Sequence, residues 1–327
     1  MDTTITIIRL GQQQRVSYQN AILASRIFSC CTELPMICDA VVPVAGTGTR
    51  LLPITKSQSK ELLPVGRKPV IQHVVEDLKS AGMKNVLLVT GKRKTAIEDH
   101  FDRDAELIDS LEGNGKAELV PLIDFDNLGL ELFYTRQRRQ EGLGHAVGLA
   151  EAFMGGRSFV VALGDTIIRC AEPPNIITKL TNCFEQEGAS CVIALQEVAM
   201  KDVVRYGIAR PAAGENGEVF RLAELIEKPS VESAPSNLAI AARYVFTPEI
   251  FAAIARTQPG AGGEIQLTDA IRLLMQEGRK VYGVRMSPDD RRYDIGAFES
   301  YFKCFADYAL ADEECGEELR EYLRQRL

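Results

Sequence analysis

The sequence predicts a doubly wound α/β domain built on a mixed, mostly parallel sheet. Two patterns carry that prediction. From residue 40 onward, apolar runs of five or six residues alternate with stretches of helical periodicity. Such runs are continuous in hydrophobicity, as strands buried on both faces must be. After residue 200 the runs crowd together, which predicts a small antiparallel β insertion.

The elements follow in order. The first strand is expected at 40–45, ending in a glycine-containing loop, and a helix at 68–81 leads to a strand at 85–90. A helix at 94–101, a strand at 130–135, a helix at 143–154 and a strand at 158–163 continue the alternation. A helix at 175–187 precedes a strand at 190–198, and further strands are expected at 219–227, 238–246 and 280–286. Helices at 267–277, 298–310 and 316–327 complete the pattern. The βαβα order makes the sheet Rossmann-like, with helices on its faces. Residues 1–35 lie outside it, with three Arg, two acids, a run from Gln12 to Gln14 and the pair Cys30 and Cys31. The domain boundaries are expected at 1–35 for an N-terminal extension, 36–297 for the main domain and 298–327 for a C-terminal helical region. Met36 comes directly before the first strand, so either translation starts near it or residues 1–35 are a loose extension, an Arg- and Ser-containing targeting segment being the weaker alternative.

Composition excludes several classes of function. The formal net charge of −7 lacks the broad basic surface of a general nucleic-acid binder. No stretch reaches the ~20 apolar residues that a membrane span requires. Three histidines, His73, His100 and His145, are too scattered for a His-rich zinc site, and there is no Trp. Eight cysteines without a C-x-x-C spacing suit reduced thiols in a cytoplasmic protein. The chemistry must therefore come from carboxylates, Lys and Arg.

The sharpest feature is the loop Gly46-Thr-Gly-Thr-Arg50 after the first strand. Glycines let backbone N–H groups approach phosphate oxygens. The loop matches neither the dinucleotide fingerprint nor the P-loop, because Leu51 stands at the third glycine position and no Gly-Lys-Ser/Thr follows. Residues 50–72 add Arg50, Lys56, Lys60, Arg67 and Lys68 against Glu61, a local charge of +4. A cationic segment beside a glycine loop predicts a triphosphate site.

The run Gly46-Thr-Gly-Thr-Arg-Leu-Leu-Pro53, then Lys60-Glu-Leu-Leu-Pro64 and Lys68-Pro-Val-Ile71, resembles the signature of sugar-1-phosphate nucleotidylyltransferases. The segments 97–101, 141–146, Gly164-Asp165, Tyr206-Gly207, Ile226-Glu-Lys-Pro229, 236–239 and 262–270 extend the resemblance in order from about residue 40 to 310. It implies transfer of uridylyl from UTP to glucose 1-phosphate, giving UDP-glucose and pyrophosphate with Mg²⁺. It also implies a homo-oligomer, a dimer or tetramer, and no nucleic-acid or membrane partner. A thymidylyl-transferring relative would be expected to carry Gln at position 61. A silent nucleotide-binding homologue would be expected to have lost Asp165, Lys228 or Arg50.

The resemblance assigns roles by position. Arg50, Lys60 and Lys228 would be catalytic. Ala45, Gly46, Thr47, Gly48 and Thr49 would hold the triphosphate, and Glu61, Gln137 and Gly142 would meet the base. Glu61 is also open to a plainer role as the charge partner of a nearby Lys. Gly207, Glu227 and Lys228 would hold the sugar phosphate, and Asp165 and Asp294 the metal. His145 is expected to serve packing or a helix start as readily as catalysis, and His73 and His100 are expected to be structural. Two positions depart from the pattern: Gly164, where uridylyl-transferring members often have Pro, and Ala297, where they usually have Asn.

Overall fold

The structure is a computed structural model that describes residues 37–326 together with the strands Ile5–Arg9 (β1) and Gln12–Val16 (β2). The chain divides into the units Met1–Met36 and Ile37–Leu327. In the first unit β1 and β2 pair antiparallel, and the expected start near Met36 lies outside the described residues.

The strands of the second unit are Asp39–Pro43 (β3), Pro64–Val65 (β4), Lys68–Pro69 (β5), Asn85–Thr90 (β6), Glu131–Arg136 (β7), Phe159–Ala162 (β8) and Thr166–Arg169 (β9). Cys191–Glu197 (β10), Gly207–Pro211 (β11), Val219–Glu227 (β12), Leu238–Phe246 (β13), Val281–Arg285 (β14) and Arg291–Asp294 (β15) follow. The helices are Val70–Ser80 (α1), Thr95–Phe101 (α2), Ala105–Gly113 (α3), Leu143–Gly148 (α4), Glu151–Met154 (α5) and Ile176–Glu187 (α6). Glu249–Arg256 (α7), Leu267–Gln276 (α8), Phe298–Leu310 (α9) and Gly316–Arg324 (α10) complete them.

Nine strands form one sheet in the order β10-β14-β12-β11-β13-β8-β3-β6-β7. Parallel pairing joins β8, β3, β6 and β7, and also β10 with β14. The other neighbours are antiparallel. The sheet is therefore mixed, and the expected antiparallel insertion extends the parallel half. Adjacent strand residues face opposite layers. Val41, Leu87 and Val161 join one apolar cluster, while Val42, Leu88 and Val160 join the other.

Local chemistry explains the helix ends. The Asn175 side chain accepts the Thr178 N–H at 2.9 Å and starts α6, which stops at Gly188 with φ 56°. Asp104 caps α3 in the same way through Leu107 N at 2.9 Å. α10 has the solvent-facing ion pairs its spacing predicts, with Arg320–Glu317 at 3.0 Å and Arg324–Glu321 at 3.2 Å. α9 packs Phe298, Tyr301 and Tyr308 against Leu51, Val65 and Ile167, while Phe302 and Phe305 remain exposed. Among the described residues, no helix is long and apolar enough to cross a membrane.

This topology places the site. Chain order runs from β3 to β6 and β7 on one side, whereas β8 lies on the other side of β3. A doubly wound sheet opens a crevice at such a reversal, beyond the carboxyl ends of its strands. The glycine loop follows β3 and Asp165 follows β8, so both stand at that crevice.

Candidate active site

Two adjoining cavities occupy the crevice, and consecutive residues line them: Thr49 faces one and Arg50 the other. The first, about 620 Å³, is bounded by the glycine loop, Gln137 and Gln140. Lys56, Lys92, Arg93, Lys94 and Arg138 also line it, with no acid among the described lining residues. The second, about 310 Å³, contains Asp165, Gly207, Glu227, Lys228, Arg292 and Asp294. One is walled by cations without acids among the described lining residues. The other combines cations with carboxylates and hydroxyls.

In the first cavity, Gly48 takes φ 66° and turns the chain into a short 3₁₀ segment, and Thr55 Oγ1 donates to its carbonyl at 2.8 Å. Gln140 Nε2 donates to the Ala45 carbonyl at 2.6 Å. Gln137 is buried, and its Nε2 donates to the Gly142 carbonyl at 3.1 Å and to His145 Nδ1 at 3.0 Å. His145 is thereby tied to Gln137, and its Nε2 lies 3.6 Å from Glu141 Oε2. Gly142 has φ 101°, and a Cβ there would stand 2.6 Å from the Ile265 carbonyl oxygen. Glycine is needed at that position because two loops pack against each other.

Glu61 has the lysine partner that the plainer of its two expected roles requires. It is 1 % exposed and accepts Lys94 Nζ at 2.6 Å, together with the Ser59 hydroxyl. It holds a buried lysine under the cavity wall and is not part of the lining. The five cations of residues 50–72 do not gather as one phosphate patch either. Arg67 binds Asp312 at 2.6 Å, Lys68 binds Glu76 at 2.8 Å, and Lys60 pairs with Asp165. Of the five, Lys56 faces the cation-walled cavity and Arg50 the other. The rest of the positive lining comes from Lys92, Arg93, Lys94 and Arg138, which sequence reasoning missed. The loop after β6 could have flagged the first three, because it reads Gly91-Lys-Arg-Lys94 at a strand's carboxyl end, whereas Arg138 follows β7.

Lys60 lies beneath Gly46, where a Cβ would come 3.6 Å from its Nζ. Burial alone would depress its pKa, but Asp165 and then Glu61 outweigh that and raise it. Burial pushes Asp165 up, and the Lys60 ammonium more than reverses the shift, so the carboxyl sits below its ordinary value. Asp294 is raised, first by burial and then by the like charge of Asp165. The β9–β15 ribbon sets the two acids side by side: Asp294 is the register partner of Thr166, and Ile295 N donates to the Asp165 carbonyl at 2.8 Å. Two close carboxylates with shifted pKa values can share a divalent cation.

The far wall belongs to the sugar-sized cavity. Thr268 Oγ1 donates to Glu227 Oε2 at 2.7 Å, and Lys228 Nζ lies 3.4 Å from Glu227 Oε1. A Cβ on Gly207 would come 2.7 Å from Ile240 and 3.2 Å from Glu227 Oε2, so a side chain there would displace that carboxylate. The Arg292 guanidinium lies 4.4 Å from the Tyr206 ring centre and donates to the Ile240 carbonyl at 2.6 Å. Ala297 is not part of the lining; it stands at the start of α9. His73 and His100 lie elsewhere, hydrogen-bonded to the Val65 carbonyl at 3.0 Å and Gln72 Oε1 at 3.3 Å, as structural residues would be.

Behind Asp165 lies a fully buried guanidinium. Arg243 donates to the carbonyls of Ala242 at 3.1 Å and Thr166 at 2.9 Å and faces Asp77 at 3.7 Å. A bulge in β13 turns it inward: the register with β10 shifts between Ile193 and Leu195, and Ala242 takes φ 60°. Ala242, Lys228 and Arg93 are the non-glycine residues with positive φ among those described, and each lines one of the two cavities. Such conformations cluster where function constrains the backbone.

Residues 39–310 match the family model described as nucleotidyl transferase. The chain belongs to the nucleotidyl transferase family. This transferase is 44% identical over 286 residues to UTP–glucose-1-phosphate uridylyltransferase from Staphylococcus epidermidis, covering 88% of this chain and 97% of that protein. It is similar to a UTP-bound UGPase from Acinetobacter baumannii, with a TM-score of 0.80 and 34% identity over 88% of this chain and 99% of the other. It is also similar to a UDP-glucose pyrophosphorylase complexed with UDP-glucose, with a TM-score of 0.72 and 35% identity over 84% of this chain and 98% of the other.

Proposed function

We infer that the transferase moves the uridylyl group of UTP to glucose 1-phosphate, releasing pyrophosphate and forming UDP-glucose. The supporting observation is the pair of cavities that meet at Thr49 and Arg50, one walled by cations and the other by Glu227, Lys228 and paired carboxylates. Close relatives that carry this activity by name support the choice of substrates.

The reaction joins a phosphate oxygen of the sugar to the α-phosphorus and breaks the bond from that phosphorus to the bridging oxygen of pyrophosphate. The attacking oxygen arrives ionised, so no histidine base is required. The residues must align two anions that repel each other and stabilise the charge on the transferring group. Lys56, Lys92, Lys94 and Arg138 line the space proposed for the triphosphate. Lys228 would hold the sugar phosphate, Glu227 the sugar hydroxyls, and Arg50 the region between the two substrates. Thr268 orients the Glu227 carboxylate through its 2.7 Å hydrogen bond. Asp165 and Asp294 fit a divalent cation by their chemistry, and we assign it as Mg²⁺. When bound, it would neutralise charge on the phosphates being exchanged.

The test is pyrophosphate release across a panel of UTP, dTTP, CTP and several sugar 1-phosphates. UTP with glucose 1-phosphate is expected to be the best pair. A dTTP preference of about tenfold, equivalent to ~1.4 kcal/mol, would overturn the choice of nucleotide.

A further inference from the structure

We infer that Arg93 is a phosphate ligand of the nucleotide, retained although its backbone conformation favours glycine. This rests on reading the cation-lined cavity as the triphosphate site. The segment Gly91–Lys94 is fixed at both ends. Gly91 packs so closely on the loop after β3 that a Cβ would stand 2.9 Å from the Ala45 carbonyl oxygen. Lys94 is buried and donates to Ser59 Oγ at 2.8 Å and Glu61 Oε2 at 2.6 Å. Only Lys92 and Arg93 span these anchors, and Arg93 takes φ 65°. A glycine adopts that conformation freely, whereas a residue with a Cβ is strained in it.

The side chain supplies a reason to keep arginine. Arg93 is exposed and lines the cavity with Lys56, Lys92 and Arg138, and no carboxylate pairs with any of these four among the described residues. Unneutralised cations around one concavity attract an anion. A planar guanidinium can also grip two phosphate oxygens at once. Arg93 lies outside every motif that carries the family resemblance.

The experiment compares Arg93→Gly and Arg93→Lys with the parent enzyme. It measures UTP affinity by calorimetry with MgCl₂, steady-state kinetics and the urea midpoint. Arg93→Gly is expected to weaken both the Kd and the KM for UTP about tenfold. Its kcat and its KM for glucose 1-phosphate should stay within about twofold, because the ground-state grip on the triphosphate is what is lost. Its urea midpoint should equal or exceed that of the parent, because glycine relieves the strain. Arg93→Lys should recover part of the affinity and keep the parent's midpoint. An unchanged UTP Kd in Arg93→Gly overturns the inference, and a lower midpoint alongside it makes Arg93 purely structural. If the parent bound UTP without turnover, the proposed reaction would fall and Arg93 would still be judged by its Kd ratio. If it bound no UTP, both would fall.

Discussion

The Lys60 ammonium is bonded to the carboxylate of Asp165, so the loop after β3 and the end of β8 are tied by a single ion pair. Lys60 lies under the lining of one cavity, and Asp165 lines the other. Each partner shifts the other toward its charged form.

Asp165→Asn is expected to lower kcat on the order of 10²-fold or more, because it removes charge organisation at the transferring group. The fold should persist, since the substitution preserves shape. Circular dichroism with pyrophosphate release checks both points. Activity within about threefold of the parent would show that Asp165 is not part of the reacting centre.

Lys228→Met is expected to raise the KM for glucose 1-phosphate about tenfold and leave the KM for UTP nearly unchanged. Lys228 lines only the second cavity, so its loss should separate the two substrates. Equal effects on both constants would contradict that assignment.

Arg243→Met should cost about 3–5 kcal/mol in urea unfolding, because it leaves the buried Oδ2 of the half-buried Asp77 without its cation. Burial already raises the Asp77 pKa, with Arg243 opposing it. A carboxyl raised in the folded state contributes stability below its unfolded pKa and loses it as pH rises through the folded value. Removing Arg243 raises Asp77 further. The deficit should therefore shrink toward acid pH, and adding Asp77→Asn should recover part of it at neutral pH. A deficit independent of pH would remove Asp77 from the explanation.

Gly164→Ala should destabilise by about 1–3 kcal/mol through overpacking. The added Cβ would overlap Val44 Cγ1 and come within 3.2 Å of Ile71 Cδ1 and Val42 Cγ1. Combining it with Val44→Ala should return part of the loss, and failure to do so would locate the strain elsewhere.

Ala297→Asn should stabilise by about 1 kcal/mol. Ala297 stands at the N-cap of α9 with extended φ −149° and ψ 157° and no side-chain cap. Thermal unfolding reads the gain. Because Ala297 is outside the lining, the sugar preference should stay as it is.

Much of the fold was legible because the strands are long, β6 and β13 as continuous apolar runs and β12 as an alternating one. The expected run at 85–90 is β6, 219–227 is β12 and 238–246 is β13. Short elements escaped. β9 and β15 have four residues each, and polar or basic residues break their apolar signal. β11 begins at the Gly207 singled out for its backbone and ends at Pro211, so it read as loop. α3 and α7 were missed although Asp104 supplied a cap and Ile250, Phe251, Ala253 and Ile254 form a buried stripe.

The site divides along similar lines. The glycine loop, Asp165, Glu227, Lys228 and Asp294 line the two cavities of the crevice. The charge sum over residues 50–72 misled because it ignored the third dimension: Arg67 and Lys68 find acids far from the crevice, while Lys92, Arg93 and Arg138 arrive from other loops. Arg243 gave no signal because a bulge decides which way it points.

The β9–β15 ribbon joins residues that lie far apart along the chain. The glycine loop and β6 lie in its first half, and Asp165 stands just past its midpoint. Asp294 stands beside Asp165 because Arg291–Asp294 pairs with Thr166–Arg169, and α9 packs on Leu51 beside the first loop. The residues that line the cation-rich cavity all precede residue 141, whereas the second carboxylate follows more than 150 residues later. On the proposed assignment of Asp294, the reacting centre is complete only once residue 294 has been made.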